Sequence, residues 1–387
     1  MKIITSQENL ARGLAAVKTA VANRTTLPIL THILIDARTQ ESRVRLAATN
    51  LDIGINCWIP TQVVEPGAVT VPARLIVDFV GTLSQGQVEM TLNESTQTLR
   101  LICGRTIANI KSIDAKEFPE LGATATPKTT IALDAKPLSE MLDRVVFAAA
   151  TDESRPVLAG VLAKFDAQQL TLAAADGFRL SVQHTGIGNA SPLEPFSLVI
   201  PVKALQEVSR LCSGQLEPVK VIVASERNQV RFVLSTTEVV SQLIDGAYPD
   251  VTRIIPQTHT SRAVVSASEL LTATKMVSAF VDTAKRGKAN GIRLEADSAN
   301  HRVIVMGAHA ERGDGVGDID AAIEGDAFKV ALQAPYLLSM LERVTAPQVA
   351  IEYLQNGGQP MPVVMRPVGD EGFVHVMMPL VDVPTTA

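Results

Sequence analysis

Apolar positions along the chain fall into two spacings, and the order in which one gives way to the other recurs three times. Each time, a short run of β character passes through a polar residue into a stretch with apolar residues three and four apart. That is the signature of a strand leading into a helix with one buried face. The first copy has Ile3 and Ile4, then Ser6, then Leu10, Leu14, Val17 and Val21. The second has Ile131 and Leu133, Asp134, then Leu138, Leu142 and Val145. The third has Val264 and Val265, Ser266, then Leu270, Thr274, Val277 and Val281. Ser6, Asp134 and Ser266 stand where a side-chain oxygen would satisfy free N–H groups of a first helical turn. Ser266 and Glu269 have the spacing of a capping box.

A second landmark recurs in the middle of each copy. VTVPARLIVDFVGTL, LVIPVKALQEVSRLC and KVALQAPYLLSMLERV each run from β-like into helical spacing, with Pro72 and Pro201 at the junction and Pro335 a little further on. Each copy then reads as a hairpin. Val88, Met90 and Leu92 answer Leu99, Leu101 and Cys103 across Asn93-Glu94-Ser95; Val219, Val221 and Val223 answer Val230, Phe232 and Leu234. In the third copy Val349, Ile351 and Tyr353 precede a Gly357-Gly358 turn, with Val363 and Met365 beyond it. Matching landmarks are spaced about 130 residues apart, as in a repeat architecture. Polar stretches at 122–129 (GATATPKT) and 256–261 (PQTHTS) serve as linkers, so domains are expected over 1–125, 129–256 and 261–387. Two helices on a mostly antiparallel sheet make each one α+β. A row of three would leave sheet edges open, and a twofold dimer closing that row would make a ring of six such units.

Composition narrows the function. The 387 residues, 46% hydrophobic and 19% charged, suffice for two or three cores. No apolar run reaches membrane-spanning length, and MKIITSQENLARG is not expected to be a signal peptide. Cys57, Cys103 and Cys212 are far apart in apolar segments, which suits buried thiols in a reducing cytoplasm rather than disulfides or zinc ligands. The net charge of −5 lacks the basic surplus of a protein that grips phosphates, which argues against nucleic-acid binding without excluding a protein that holds DNA topologically. Phosphate-loop, nucleophile-elbow, zinc-protease and dinucleotide motifs are all absent. His32, His184, His259, His301, His309 and His375 are scattered. Asp52 and Asp176 occupy related positions, which suggests a shared turn rather than a carboxylate pair. ERGDGVGD (311–318) reads as a mobile hairpin loop, with weak cation binding as the alternative. No catalytic residue, metal or cofactor is expected.

RTTLPIL (24–30), ATNLDIGI (48–55), PGAVTVPAR (66–74), ADGFRLS (175–181), IDGAYPDVTRIIP (244–256) and HVMMPL (375–380) follow one another in an order and spacing that resemble the bacterial sliding-clamp family, the beta subunit of the replicative DNA polymerase. The resemblance covers essentially the whole chain. It implies a head-to-tail homodimer of clamp domains, with helices lining a central hole around double-stranded DNA and sheets on the outside. It implies no catalysis and no membrane. The replicative polymerase, clamp loader and repair proteins would dock by short linear peptides. A scaffold that collects partners without enclosing DNA is the alternative.

The resemblance also implies an apolar, polar-rimmed pocket between the second and third domains. Position by position it falls on Leu158, Gly177, Phe178, Arg179, Leu180, Pro249, Arg253, Ile254, Pro362, Val376, Met378, Pro379 and Leu380. Burying a partner's Leu or Phe there gains roughly 1.5–3 kcal/mol each, and Met378 can adapt to several partners. Arg179 and Arg253 would hold partner carbonyls or an acidic group. Pattern alone also allows ADGFRL to be a plain turn into a strand, with Leu180 in the core. The family often has His in place of Phe178, and here VDVPTTA (381–387) continues past the point where the family often ends.

For DNA, Arg24 matches a loop arginine, and Arg74 and Arg155 fall at comparable basic positions, although Pro156 and Val157 replace aromatics often found next. Lys203, Arg210, Lys275 and Arg286, with Lys18, Lys285, Lys288 and Arg343, lie on or near predicted helices. Phosphate attraction without base readout would let a ring slide. Asp78, Asp143, Glu207 and Glu342 share those helices and weaken the field, and any one of the basic residues also reads as a solvated face. For the dimer, RTIANIKSI (105–113) is the expected edge strand, presenting Ile107 or Ile110 to Phe280 and Val281 of a second copy. Ordinary core packing is the other reading of these four.

Overall fold

The computed structural model describes residues 1–38, 42–121, 127–152, 154–166, 168–187, 194–224, 228–281, 291–355 and 360–380. Among them are six α-helices: α1 (Gln7–Val17), α2 (Ala73–Thr82), α3 (Ala135–Val145), α4 (Val202–Cys212), α5 (Ala267–Ser278) and α6 (Ala334–Leu341). Two belong to each sequence repeat, and the paired strands run antiparallel. The chain is therefore a threefold α+β array.

The helices start where their caps require. Ser6 Oγ accepts from Asn9 N at 3.1 Å, and Ser266 Oγ accepts from Glu269 N at 3.3 Å. Each satisfies one of the four N–H groups left without a partner in a first turn. The expected faces are the buried ones: Leu10, Leu14 and Val17 on α1, and Leu270, Thr274 and Val277 on α5. Val21, expected to extend the first face, instead follows a 3₁₀ turn over Lys18–Ala20. Pro72 and Pro201 directly precede α2 and α4, and Pro335 is the second residue of α6.

Two compact units are present. The first comprises Met1–Ser139 with Lys203–Leu243, the second Glu140–Val202 with Ile244–Ala387, so the middle repeat contributes to both. The first unit has a five-stranded sheet in the order Gln62–Glu65, Lys2–Ser6, Gln87–Asn93, Thr98–Cys103, Thr106–Lys111. It also has an eight-stranded sheet, in which Thr237–Gln242 of the second repeat pairs with Ile53–Pro60 of the first. The second unit has one sheet of twelve strands, in which Phe373–Met377 of the third repeat pairs with Arg179–Gly186 of the second.

The two cross-repeat junctions have the same register. Ile53, first in its strand after a turn, faces Ser241; Arg179, likewise first, faces Met377. The turns also match: Leu51 (φ 79°) and Gly177 (φ 91°) take the left-handed conformation. Asn50 Oδ1 accepts from Asp52 N and Ile53 N as Asp176 Oδ1 accepts from Phe178 N and Arg179 N. The shared turn expected from Asp52 and Asp176 is present, but the residue equivalent to Asp176 is Asn50, and Asp52 matches Phe178.

One correction concerns 311–318. Gly313–Gly325 is a single strand, paired with Arg302–His309, and the turn is confined to residues 310–312. Of the glycines that suggest a loop, Gly315 and Gly317 have a packing role. A Cβ at Gly315 would lie 2.7 Å from the Phe280 ring, so only glycine lets that ring lie against the strand. Asp318 is held by Arg302 at 2.8 Å. Cys57, Cys103 and Cys212 are buried free thiols, and burial pushes Cys212 up to about 11. The Gly357-Gly358 turn and the 381–387 tail lie outside the described residues.

Candidate partner-docking site

The site is built on the second unit's junction. The Asp176 carboxylate holds the turn by accepting from Phe178 N (2.9 Å) and Arg179 N (3.0 Å). That leaves the Phe178 ring 42% exposed. The Phe178 carbonyl in turn accepts from Met378 N at 2.8 Å, which places Met378, 39% exposed, beside the turn. Below them Leu180 and Val376 pair across the strands and belong to a buried cluster with Val182, Val251 and Val364, with Tyr248 packed against it. The Tyr248 hydroxyl accepts from Ala175 N at 2.9 Å, and burial raises its pKa to about 12. The 3₁₀ turn Val251–Arg253 then brings up Arg253 and Ile254, both exposed. Phe178, Ile254 and Met378 are thus exposed apolar side chains on segments that pack around this buried cluster.

The expected residues divide into groups. Gly177, Phe178, Leu180, Val376 and Met378 come together, with Pro249, Arg253 and Ile254 on the flanking segment. Pro362 directly precedes the strand Val363–Pro367, and Leu158 is buried in the 3₁₀ turn Pro156–Ala159. Pro379 is half-buried, while Leu380 donates its amide to Ala331 O and packs on Gly291.

Arg179 requires correction. Its guanidinium does not wait for a partner but is turned inward, reaching Asp176 Oδ2 (3.0 Å), Ser339 Oγ (2.9 Å) and the Phe147 carbonyl (2.6 Å), 4.3 Å from the Tyr336 ring centroid. It is a positioning residue beneath the surface. Arg253, by contrast, is open to solvent and, among the described residues, paired only with Asp250 at 3.1 Å.

Sequence reasoning missed three components. Arg155, assigned to DNA, lies over the turn: a Cβ at Gly177 would sit 3.1 Å from its guanidinium. Asp176 was legible as the polar residue of an Asp-Gly turn. His375 is fully buried, with Ser181 Oγ 2.6 Å from its Nδ1 and its ring stacked on Phe147 at 5.4 Å. Burial, and then the Arg179 and Arg343 charges, lower its pKa to about 3. It is therefore a neutral spacer, and nothing in the local sequence signals this.

Of the candidate DNA residues, Arg24, Arg155 and Lys203 are exposed. Arg74 lies 3.8 Å from Asp78, Arg210 2.7 Å from Glu207 and Lys275 3.4 Å from Glu342, so each has a neighbouring acid. Arg286, with Lys285 and Lys288, lies outside the described residues. Of the candidate dimer residues, Ile107 is 53% exposed, whereas Ile110 and Val281 are core residues at 3% and 2% and cannot face a partner. Ile110 points inward because strand alternation puts it on the opposite face from Ile107. Val281 closes the third-repeat core below α5. Phe280 is half-buried against Gly315.

Family models for the DNA polymerase III beta subunit match the chain in three consecutive parts: the N-terminal domain over 1–122, the central domain over 132–250 and the C-terminal domain over 252–381. The Staphylococcus aureus beta sliding clamp is 30% identical over 370 residues, covering 93% of this chain and 94% of its own. That of Synechococcus elongatus is 29% identical over 380 residues, covering 98% and 99%. The crystal structure of the Bacillus subtilis DNA polymerase sliding clamp superposes with a TM-score of 0.90 at 27% identity, covering 99% of this chain and 100% of that one. A threefold array of like domains with sheets continued across its junctions is a clamp fold. The chain belongs to the DNA polymerase III beta subunit family, the bacterial beta sliding clamps.

Proposed function

We propose that this protein is a non-catalytic processivity clamp of the cytoplasm. It closes head to tail with a second copy around duplex DNA and tethers the replicative polymerase, clamp loader and repair proteins through short apolar peptides docked over Phe178 and Met378. The supporting observation is a mismatch of edges. Each repeat's Thr237–Gln242-type strand pairs with the strand that follows the turn in the preceding repeat, twice within the chain. Among the described residues, Thr106–Lys111 of the first repeat has a neighbour on one side only, and residues 313–317 of the third have a neighbour only in Arg302–His309. These are the two halves of a third junction. An unpaired row of N–H and C=O groups favours addition of another strand, and a second copy supplies it.

The register follows from the internal repeat. Thr98 pairs with Lys111 as Gln229 pairs with Gln242, so Ile110 corresponds to Ser241, and its backbone would pair with Gly313 while its side chain stays in the core. Ile107 would then lie opposite Val316, which is 55% exposed. Val316, not Phe280 or Val281, is the partner this reading assigns to Ile107. Arg24, Arg74, Lys203, Arg210 and Lys275 add point attraction to phosphates, muted at Arg74, Arg210 and Lys275 by the acids beside them. The test is retention on DNA. Loaded protein should elute as a dimer by light scattering, stay on closed circular DNA in high salt and leave when the circle is cut. A monomer, or equal retention on cut DNA, overturns the reading.

A further inference from the structure

The first unit's junction carries a depression of about 370 Å³ lined by Thr49, Leu51, Asp52, Gly54, Pro119, Glu120, Leu121, Gln229, Val240 and Gln242. We propose that it is a second peptide-docking site, one that takes a short segment pairing a lysine or arginine with an aliphatic residue. The proposal rests on the docking function inferred for the other junction, because the two sites are built from equivalent positions.

Asp52 stands where Phe178 stands, and Gln242 donates its amide to the Asp52 carbonyl at 2.9 Å, as Met378 does to Phe178 at 2.8 Å. Val240 opposes Gly54 as Val376 opposes Leu180. Pro119 and Glu120 precede Leu121 as Pro249 and Asp250 precede Val251. Above that shared frame the chemistry differs, although Glu120 and Asp250 are both carboxylates: Asp250 is paired with Arg253 at 3.1 Å. The second unit's site has an aromatic ring, a thioether and two exposed arginines, Arg155 and Arg253. This one has two exposed carboxylates, Asp52 and Glu120, which have no ion-pair partner among the described residues. The amides of Gln229 and Gln242 can bond a peptide backbone, and Leu51, 52% exposed, offers the apolar contact. The volume lies within the roughly 300–1,000 Å³ usual for ligand sites. Charge complementarity therefore selects a cationic segment over the apolar one favoured at the other junction.

The experiment uses the full chain and two fluorescent probes in polarisation titrations: acetyl-Gly-Leu-Lys-Leu-Lys-Gly-amide and an uncharged Leu/Phe hexapeptide. Asp52→Lys with Glu120→Lys should weaken the lysine probe by about tenfold or more and leave the hydrophobic probe and the melting temperature unchanged. Met378→Ala should leave the lysine probe unaffected. Absence of saturable lysine-probe binding, or its loss only on Met378→Ala, overturns the proposal. Failure of the hydrophobic probe alone counts against the docking role of the second unit's site and leaves this result readable.

Discussion

The two sheet junctions share a backbone and differ in nearly every side chain that reaches solvent. Both have an Asx-held turn with one left-handed residue and the same cross-strand register, and both have the same main-chain bond from the incoming strand. The outer positions exchange Phe178 for Asp52 and Met378 for the half-buried Gln242. Beneath the surface, Ser181 and His375 occupy the cross-strand pair that Ile55 and Val239 fill in the other junction. Asn56, Glu238 and Arg231 form a buried polar network where Val182 and Val374 pack. Backbone hydrogen bonds hold each junction, so its outer side chains are free to vary with little effect on folding. On the docking proposed for both junctions, the fold supplies two frames and a few outer residues decide what each one binds.

The largest effect should come from giving one frame the other's surface. Phe178→Asp with Met378→Gln should weaken an apolar Leu/Phe peptide about a hundredfold, since two apolar contacts of roughly 1.5–3 kcal/mol each are partly lost. Both positions are exposed, so the melting temperature should hold; fluorescence polarisation and calorimetry read the two results.

Acid should separate the junctions next. His375 has its pKa lowered to about 3, whereas an unfolded histidine titrates near about 6.5. Between those values the unfolded chain holds the extra proton, so stability falls as pH drops through that window, by roughly 1.4 kcal/mol per pH unit. Hydrogen exchange should quicken at Ser181 and Val376 between pH 6 and 4 more than at Ile55 and Val239, and His375→Gln should flatten the difference. The smallest effect tests the turns. Leu51 carries a left-handed φ that glycine adopts at Gly177. Leu51→Gly should therefore stabilise the first unit by about 1 kcal/mol, read as a raised melting temperature.

The repeat, the helices and the hairpins were legible because they depend on local periodicity, and burial follows that periodicity at Leu10, Leu142, Val221 and Ile351. The turn at 176–179 was legible in ADGFRL as an Asp-Gly turn, and its proposed docking role comes from the family resemblance. What escaped depends on neighbours distant in sequence. Arg179 was assigned to a partner because its bonds to Phe147 and Ser339 link residues 32 and 160 positions away. Residues 313–318 suggested a loop because the glycines that answer distant side chains, Gly315 at Phe280 and Gly317 at Ala273, look in sequence like turn glycines. Val316 went unnoticed for the same reason, although Ile107 did not. The polar counterpart of the docking site escaped because its defining contacts join repeats, and Asp52 alone signals nothing.

The central claim is that the pattern closing two junctions within the chain closes a third between copies. Ile107→Cys with Val316→Cys tests it directly, because the native thiols Cys57, Cys103 and Cys212 are buried. Mild oxidation of the purified protein should give a covalent dimer on denaturing gels, linked through both junctions, while Ile107→Cys paired with Asp318→Cys should give little. A protein that stays monomeric on the gel, or cross-links equally well in both registers, contradicts the account.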